Sequence, residues 1–266
     1  MTEQNVFLAL KAEGEEVDRM VSSLSEQQWS LPTPAPGWTI AHQIAHLAST
    51  ARMAGLAASD PAAFAGLVAG IGSDFDAAVE GALAPFLSLG PRKLLERWRA
   101  ERQAAGGALS TVPAGQLVPW LVNPLPAPVL AAGGMMELFA HGQDIADALG
   151  VRREPTARLQ HLCGFGFHTM TFGYLARGLT PPETPFRFEL TGPSGEVWTF
   201  GPEDASQRIS GPALDFCLLV ARRRHHSDLA VVAEGDEARG WLEIAQAYRG
   251  PAGVGREAGQ FSGLPA

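Results

Sequence analysis

The chain has 266 residues with a formal net charge of −8 at pH 7, and 46% of its residues are hydrophobic and 18% charged. This composition excludes a disordered chain, and the negative charge argues against a general binder of nucleic acid or of anionic membranes. We find no secretory signal, no apolar run long enough to cross a membrane and no CxxC motif. We therefore expect a cytoplasmic monomer or homodimer that acts on a small molecule and buries its two thiols, Cys163 and Cys217.

The first two-thirds of the sequence has the apolar periodicity of helices. Three prolines within 30–37 predict a loop, and Trp38 is expected to anchor this loop against the core. Thr39 is the predicted N-cap of a helix that runs to about Ala58. Further helices are predicted at about 6–24, 61–70, 74–87, 91–109, 127–149 and 155–177. Long amphipathic helices joined by loops predict a helical bundle, which we place at residues 1–178.

The pattern changes in the proline-rich segment 178–185, which predicts a stiff linker. Alternating apolar and polar residues at 186–190 and at 197–200 then predict a β-hairpin. Later elements are predicted as a strand at 208–210, a helix to about 224, a short strand at 229–233 and a helix at 238–248. The sequence thus predicts a small α+β domain at 186–249, followed by a Gly- and Pro-rich tail at 250–266.

The first candidate for chemistry lies in the apolar helix predicted at 127–149. Glu137 and His141 are four residues apart, so they lie one turn apart on the same helical face. Burying an unpaired carboxylate is costly, and Glu137 therefore needs a partner, which a divalent metal or an arginine would provide. The other interpretation is an exposed Glu–His pair on a solvated face.

A second pair of histidines has the same spacing on an earlier predicted helix. His42 and His46 are again four residues apart, and His46 lies closer to the apolar side of its helix. A lone histidine on an apolar face is more often a buried core residue than a ligand. Two facing bundle helices, one giving His46 and the other Glu137 and His141, would form an N,O,N site that leaves metal positions open for water or substrate.

These segments resemble a known superfamily. The stretch PGWTIAHQIAHL at 36–47 resembles the Trp-Thr…His-Leu signature near the start of DinB-like helical bundles, and Glu137, His141 and Asp144 resemble its second metal motif. The sequence is more closely similar to the mycothiol-dependent maleylpyruvate isomerase family, and its C-terminal part to an actinobacterial metal-binding subgroup. The resemblance implies an N-terminal DinB-like four-helix bundle joined to a small C-terminal α/β domain like the sterol-carrier fold.

The resemblance also implies which residues bind metal. His46, Glu137 and His141 would be the ligands, and Zn²⁺ the ion that they hold. The sequence departs from the commoner pattern at His42, where an acidic residue is frequent. His42 could be a fourth ligand, a proton shuttle or a surface residue, and we favour the last.

Two further residues take catalytic roles by the same resemblance. Asp144, one turn beyond His141, would accept a hydrogen bond from a ligand imidazole, or else form an ordinary charge pair. Arg223, with Arg222 as the second choice, would hold a substrate carboxylate from the predicted end of a helix. The simpler interpretation of these arginines is that they cap the helix.

The implied activity is that of a metal-dependent enzyme. It would activate a low-molecular-weight thiol such as mycothiol, or water, for isomerisation or S-transfer on a small electrophilic substrate that carries a carboxylate. Two alternatives remain open at this point. One is a non-catalytic metal-containing protein that binds a small apolar ligand, and the other is a metal-dependent hydrolase or cyclase of secondary metabolism.

Overall fold

The computed structural model describes residues 3–70 and 74–262, and it divides the chain into two compact units, Met1–Val151 and Arg152–Ala266. The first unit is helical. Its helices are α1 (Glu3–Val21), α2 (Glu26–Trp29), α3 (Ile40–Ser59), α4 (Pro61–Ala69), α5 (Phe75–Leu87), α6 (Pro91–Ser110) and α7 (Ala127–Leu149). The short strands β1 (Leu117–Val118) and β2 (Leu125–Pro126) pair between α6 and α7. The helices predicted for this region are present, and α7 has the predicted bounds.

Local sequence explains the ends of the two helices that carry the candidate site. α3 begins after Thr39, whose backbone N–H donates to Nδ1 of His42 at 3.3 Å. The imidazole of His42 thus takes the place that Glu or Gln holds in an ordinary capping box. α7 ends at Gly150, whose φ of +64° is a left-handed conformation that glycine adopts without a Cβ clash.

Four long helices of the first unit, α1, α3, α6 and α7, pack against one another as a four-helix bundle. This confirms the predicted bundle. Helix α3 is central because it packs against α5, α6 and α7. The bundle core contains, among others, the buried side chains of Val17, Ile40, Ile44, Leu47, Leu94, Trp98, Leu138 and Ile145.

The second unit contains a four-stranded sheet in the order β4-β3-β5-β6. Its strands are β3 (Phe186–Thr191), β4 (Val197–Phe200), β5 (Gln207–Pro212) and β6 (Val232–Glu234), and its helices are α8 (Leu159–His168), α9 (Phe172–Leu175), α10 (Ala213–Val220) and α11 (Asp236–Ile244). β3 and β4 form the predicted antiparallel hairpin, β5 runs parallel to β3, and β6 is antiparallel to β5. The small C-terminal α/β domain that the sequence predicted is therefore present.

Aromatic side chains form the core of this unit. The ring of Phe188 lies 5.3 Å from that of Phe216 and 5.4 Å from that of Trp241, and all three side chains are fully buried. The indole N–H of Trp241 donates to the backbone carbonyl of Met170 at 3.0 Å. Helix α10 packs on β3 and β5, and α11 packs on β5 and β6, so both help to enclose this cluster.

Three predicted helices of this unit have different bounds. The helix predicted at 155–177 is broken into α8 and α9. At the break the Met170 carbonyl accepts from the indole N–H of Trp241, and the Thr169 hydroxyl donates to the Phe165 carbonyl at 2.8 Å. The prediction that Arg222 to Arg224 end a helix is wrong, since α10 ends at Val220 and Arg222 has a left-handed φ of +56°. The helix predicted at 238–248 is α11, which begins at Asp236 and ends at Ile244.

The division between the units falls after Val151, whereas the sequence analysis placed the first domain at 1–178. Helix α8, which that prediction grouped with the bundle, packs against α10 and β4 of the second unit. The predicted tail at 250–266 contains no helix or strand over 250–262, and 263–266 lie outside the described residues.

Two other expectations concern the chain as a whole. Cys163 and Cys217 are fully buried, as predicted, with their sulfur atoms 3.8 Å apart between α8 and α10. Within 3–70 and 74–262, no helix combines the length and the apolar character needed to cross a membrane.

Candidate metal centre

Two helices of the bundle bring three candidate ligands together. His46 lies on α3, and Glu137 and His141 lie one turn apart on α7. The Oε2 atom of Glu137 is 3.0 Å from Nε2 of His46 and 3.3 Å from Nε2 of His141. The three ligand atoms all lie within 4.8 Å of one another. The two histidines and the carboxylate that the sequence analysis singled out thus converge on one point.

The three candidate ligands differ in how far their side chains are buried. The side chains of His141, His46 and Glu137 are 12%, 20% and 33% exposed, respectively. Both helices also contribute to the bundle core, with Ile44 on α3 and Leu138 on α7. Glu137 is thus the most exposed of the three candidate ligands.

A chain of hydrogen bonds supports His141 from behind. Its Nδ1 bonds to the side-chain carbonyl oxygen of Gln43, which is fully buried on α3. The Gln43 amide donates to the Thr33 hydroxyl at 2.8 Å, and that hydroxyl donates to the Trp38 carbonyl at 2.9 Å. The last member belongs to the loop before α3, so this loop is connected to the metal-facing side of α7 through three side chains.

The indole of Trp38 forms one wall of the centre. Its ring lies 5.8 Å from the ring of His141, nearly parallel to it at 20°, and 5.4 Å from the ring of His46. The indole is only half-buried and packs at the edge of the core. Trp38 was predicted to be a core anchor, and its ring contacts show that it also lines the candidate site.

Replacing Trp38 with alanine should therefore weaken metal binding more than it weakens the fold. The loss in free energy of unfolding should stay below the ~3–5 kcal/mol expected for a fully buried tryptophan. We would measure the metal dissociation constant and, on metal-free protein, chemical denaturation. Trp38→Phe keeps a ring over His141 and serves as the control. A loss of ~3–5 kcal/mol in the free energy of unfolding, with an unchanged metal dissociation constant, would instead support the core-anchor role.

The other residues singled out from sequence fall elsewhere. His42 is absent from the His/Glu cluster found among the described residues, and its Nδ1 caps α3 through Thr39. Asp144 is fully buried on α7, one turn beyond His141, and Gln43 contacts the His141 Nδ1. Arg223 belongs to the second unit, where its guanidinium donates to the Ala221 carbonyl at 2.7 Å. The roles predicted for Asp144 and Arg223 stay predictions.

Gln43 and Thr33 were missed by the sequence analysis. Gln43 could have been found, because it lies three residues after Ile40 and four before Leu47 and so belongs to the buried stripe of α3. An amide on such a stripe must find hydrogen-bond partners. Thr33 lies in the proline-rich loop, where nothing in the sequence marks its hydroxyl as part of the site.

The charge of the cluster suits a cation. Burial acts to raise the pKa of Glu137, but hydrogen bonds from His141 and His46, together with their charge, hold the pKa of Glu137 well below its usual range. Glu137 is therefore ionised at neutral pH, which metal coordination requires. A carboxylate between two imidazoles is the donor set that zinc and other first-row divalent metals accept.

The spacing of the ligand atoms fits one ion. Two ligand atoms that each lie about 2.1 Å from a tetrahedral ion are about 3.4 Å apart. The observed separations of 3.0 and 3.3 Å from Glu137 are close to this distance. Two of the three separations therefore fit a single divalent ion, and the third, between the two histidine nitrogens, lies within 4.8 Å.

Helical bundles that present such a cluster are typical of the DinB-like class, and comparison with known proteins places the chain in one of its families. The sequence model described as the mycothiol maleylpyruvate isomerase N-terminal domain matches residues 10–146, which include all three candidate ligands. The chain belongs to this family. A second model, described as wyosine base formation, matches residues 182–234.

Individual relatives cover nearly the whole chain. Two proteins from different strains of Mycobacterium tuberculosis, both described as uncharacterised, are 44% identical over 257 residues, which is 96% of this chain and 100% of theirs. The crystal structure of a mycothiol-dependent maleylpyruvate isomerase matches with a TM-score of 0.57 at 16% identity, over 88% of this chain and 93% of that one. A mutant of that enzyme matches over the same shares with a TM-score of 0.58 at 15% identity. These structures show that the fold is shared.

Proposed function

We propose that this chain is an enzyme that uses Zn²⁺ to activate a low-molecular-weight thiol of the mycothiol type. The reaction would be an isomerisation or an S-transfer on a small electrophile that carries a carboxylate. The observation that carries the proposal is the convergence of His46, Glu137 and His141 with the carboxylate one-third exposed. The family supports the choice of thiol, because a solved protein of the same fold is a mycothiol-dependent maleylpyruvate isomerase.

The chain's own residues would prepare the reacting centre. Three protein ligands leave one position of a tetrahedral ion open, which is the arrangement of catalytic rather than structural zinc sites. A divalent ion held here would lower the pKa of a coordinated thiol, so that the thiol reacts as the thiolate. Glu137 stays ionised, Gln43 fixes the ring of His141, and Trp38 shields both imidazoles.

The proposed isomerisation conserves every atom of the substrate. The thiolate sulfur adds to one carbon of a cis carbon–carbon double bond, which becomes a single bond and can rotate. Expulsion of the sulfur restores the double bond in the trans geometry and returns the thiolate. If the neighbouring carbon takes up a proton instead, the sulfur stays attached and the product is a thioether.

Binding of the thiol can be tested without knowing the second substrate. We would load the untagged protein with Co²⁺ and add mycothiol, which should produce the near-ultraviolet charge-transfer absorption of a cobalt–thiolate bond. Maleylpyruvate is the first electrophile to test, and its conversion should require both metal and thiol. A cobalt-loaded protein whose spectrum does not respond to mycothiol would contradict the proposed function and favour the hydrolase alternative.

The proposal also gives Arg223 the substrate carboxylate and Asp144 the support of the ligand imidazole. The choice of Arg223 rests on its position in the family resemblance. Its neighbours bind the tail, since Nη2 of Arg222 lies 3.5 Å from the Gly253 carbonyl and the guanidinium of Arg224 lies 3.8 Å from the ring of Phe261.

Arg223→Ala should lower kcat/KM by roughly 10- to 100-fold, because hydrogen bonds to charged groups contribute about 1.5–3 kcal/mol. Metal content and melting temperature should not change. Arg239→Ala is the matched control, since Arg239 is an exposed arginine of the same unit that pairs with Asp236. Equal kcat/KM values for the two variants would remove Arg223 from the proposed mechanism.

A further inference from the structure

The amide of Gln43 holds the ligand His141 in one tautomer. All three hydrogen bonds of the chain behind His141 run in one direction, because the Trp38 carbonyl can only accept. The Thr33 hydroxyl gives its one proton to that carbonyl and accepts from the Gln43 NH₂ group. The carbonyl oxygen of Gln43 is then left facing His141, so Nδ1 of His141 must carry the proton.

Nε2 is then the nitrogen that faces Glu137, at 3.3 Å, and the one that would bind a metal after it loses its proton. Neutral imidazole can bind a metal only through its unprotonated nitrogen. Without the chain behind it, the ring could place its proton on either nitrogen or turn about its Cβ–Cγ bond. Gln43 is fully buried and has little freedom to move, so it fixes both the tautomer and the ring orientation.

We propose that Gln43 is a positioning residue that orients His141 for metal binding. Thr33 supports Gln43 in turn, because its hydroxyl sets the orientation of the Gln43 amide. The inference rests on the proposed function only in assuming that the centre binds a divalent ion. It adds that the affinity for this ion depends on the Gln43 amide.

Metal affinity measures the positioning role. Gln43→Met keeps the volume of the side chain but removes the acceptor, and it should weaken Zn²⁺ or Co²⁺ binding by about 10- to 100-fold. Thr33→Val should weaken it less. The double variant Thr33→Val/Gln43→Met should bind no more weakly than Gln43→Met alone, because Thr33 acts only through Gln43. Gln143→Met is the matched control, since Gln143 is a buried glutamine of α7 that bonds to Asp147.

Gln43→Glu tests the same role by rescue. This variant restores an acceptor for the Nδ1–H of His141, so it should bind Co²⁺ at least as tightly as the unmodified chain. Melting temperatures of all variants show that each is folded before it is titrated.

The outcomes separate this inference from the proposed function. If the unmodified chain binds no divalent metal, the proposed function fails. If it binds metal and Gln43→Met binds equally well, or if Gln43→Glu binds as weakly as Gln43→Met, the positioning role of Gln43 is wrong. If the substitutions at Thr33 and Gln43 weaken binding additively, Thr33 does not act through Gln43.

Discussion

Replacing His141 with alanine is expected to remove stoichiometric metal binding from the chain. The substitution takes away one of three protein ligands and leaves Glu137 paired with His46 alone at 3.0 Å. It also leaves the buried Gln43 carbonyl without its imidazole partner. The two remaining ligands, His46 and Glu137, should not hold zinc at micromolar protein concentration. Metal analysis after dialysis should give about one equivalent for the unmodified chain and less than about a tenth for the variant.

His42→Ala is the control for this experiment. His42 precedes His46 by one turn on the same helix, but its Nδ1 accepts from the Thr39 N–H and caps α3. Its loss should cost about 1 kcal/mol of stability, as for other N-cap interactions, and leave one equivalent of metal. If both variants lost metal equally, His42 would be a ligand. If His141→Ala retained a full equivalent, the assignment of His141 would be wrong.

Replacing Trp241 with alanine is expected to destabilise the second unit by about 3–5 kcal/mol. The indole is fully buried, lies against Phe188 and Phe216, and donates to the Met170 carbonyl. Alanine would leave a cavity among these rings and a carbonyl without its donor. Chemical denaturation followed by circular dichroism should show the loss.

Trp241→Phe separates packing from hydrogen bonding. It keeps most of the apolar ring but removes the N–H, so its loss of stability should be near the 1–3 kcal/mol of an unsatisfied buried acceptor. Metal stoichiometry should be unchanged in both variants under folding conditions, because all three candidate ligands belong to the first unit. A Trp241→Ala variant as stable as the original chain would contradict the proposed core of the second unit.

The parts of the fold that local sequence determines were predictable. Thr39 and Gly150 mark ends of α3 and α7, and the observed helices begin and end beside them. The spacing of Glu137 and His141 places both on one face of α7 whatever the rest of the chain does. The alternation of apolar and polar residues along β3 and β4 is likewise a local pattern, and it correctly predicted their hairpin.

The parts that depend on distant contacts were not predictable. At the break between α8 and α9, the Met170 carbonyl accepts from Trp241, which lies 71 residues further along the chain. The support of His141 comes from Gln43, which is 98 residues away in sequence. The hydrophobic periodicity of a helix does not show which distant side chain will bind its backbone or its histidine. The residue pattern had already suggested the pairing of His46 with Glu137 and His141, and the family resemblance also implied it. Neither identified the side chains behind the ligands.

The central claim is that His46, Glu137 and His141 together bind one divalent ion. Anomalous diffraction at the zinc edge, from crystals of untagged protein grown with one equivalent of Zn²⁺, tests it most directly. We expect one strong peak about 2.0–2.2 Å from Nε2 of His46, Nε2 of His141 and a carboxylate oxygen of Glu137. A well-ordered crystal with the peak at another place, or with none at these three side chains, would contradict the account.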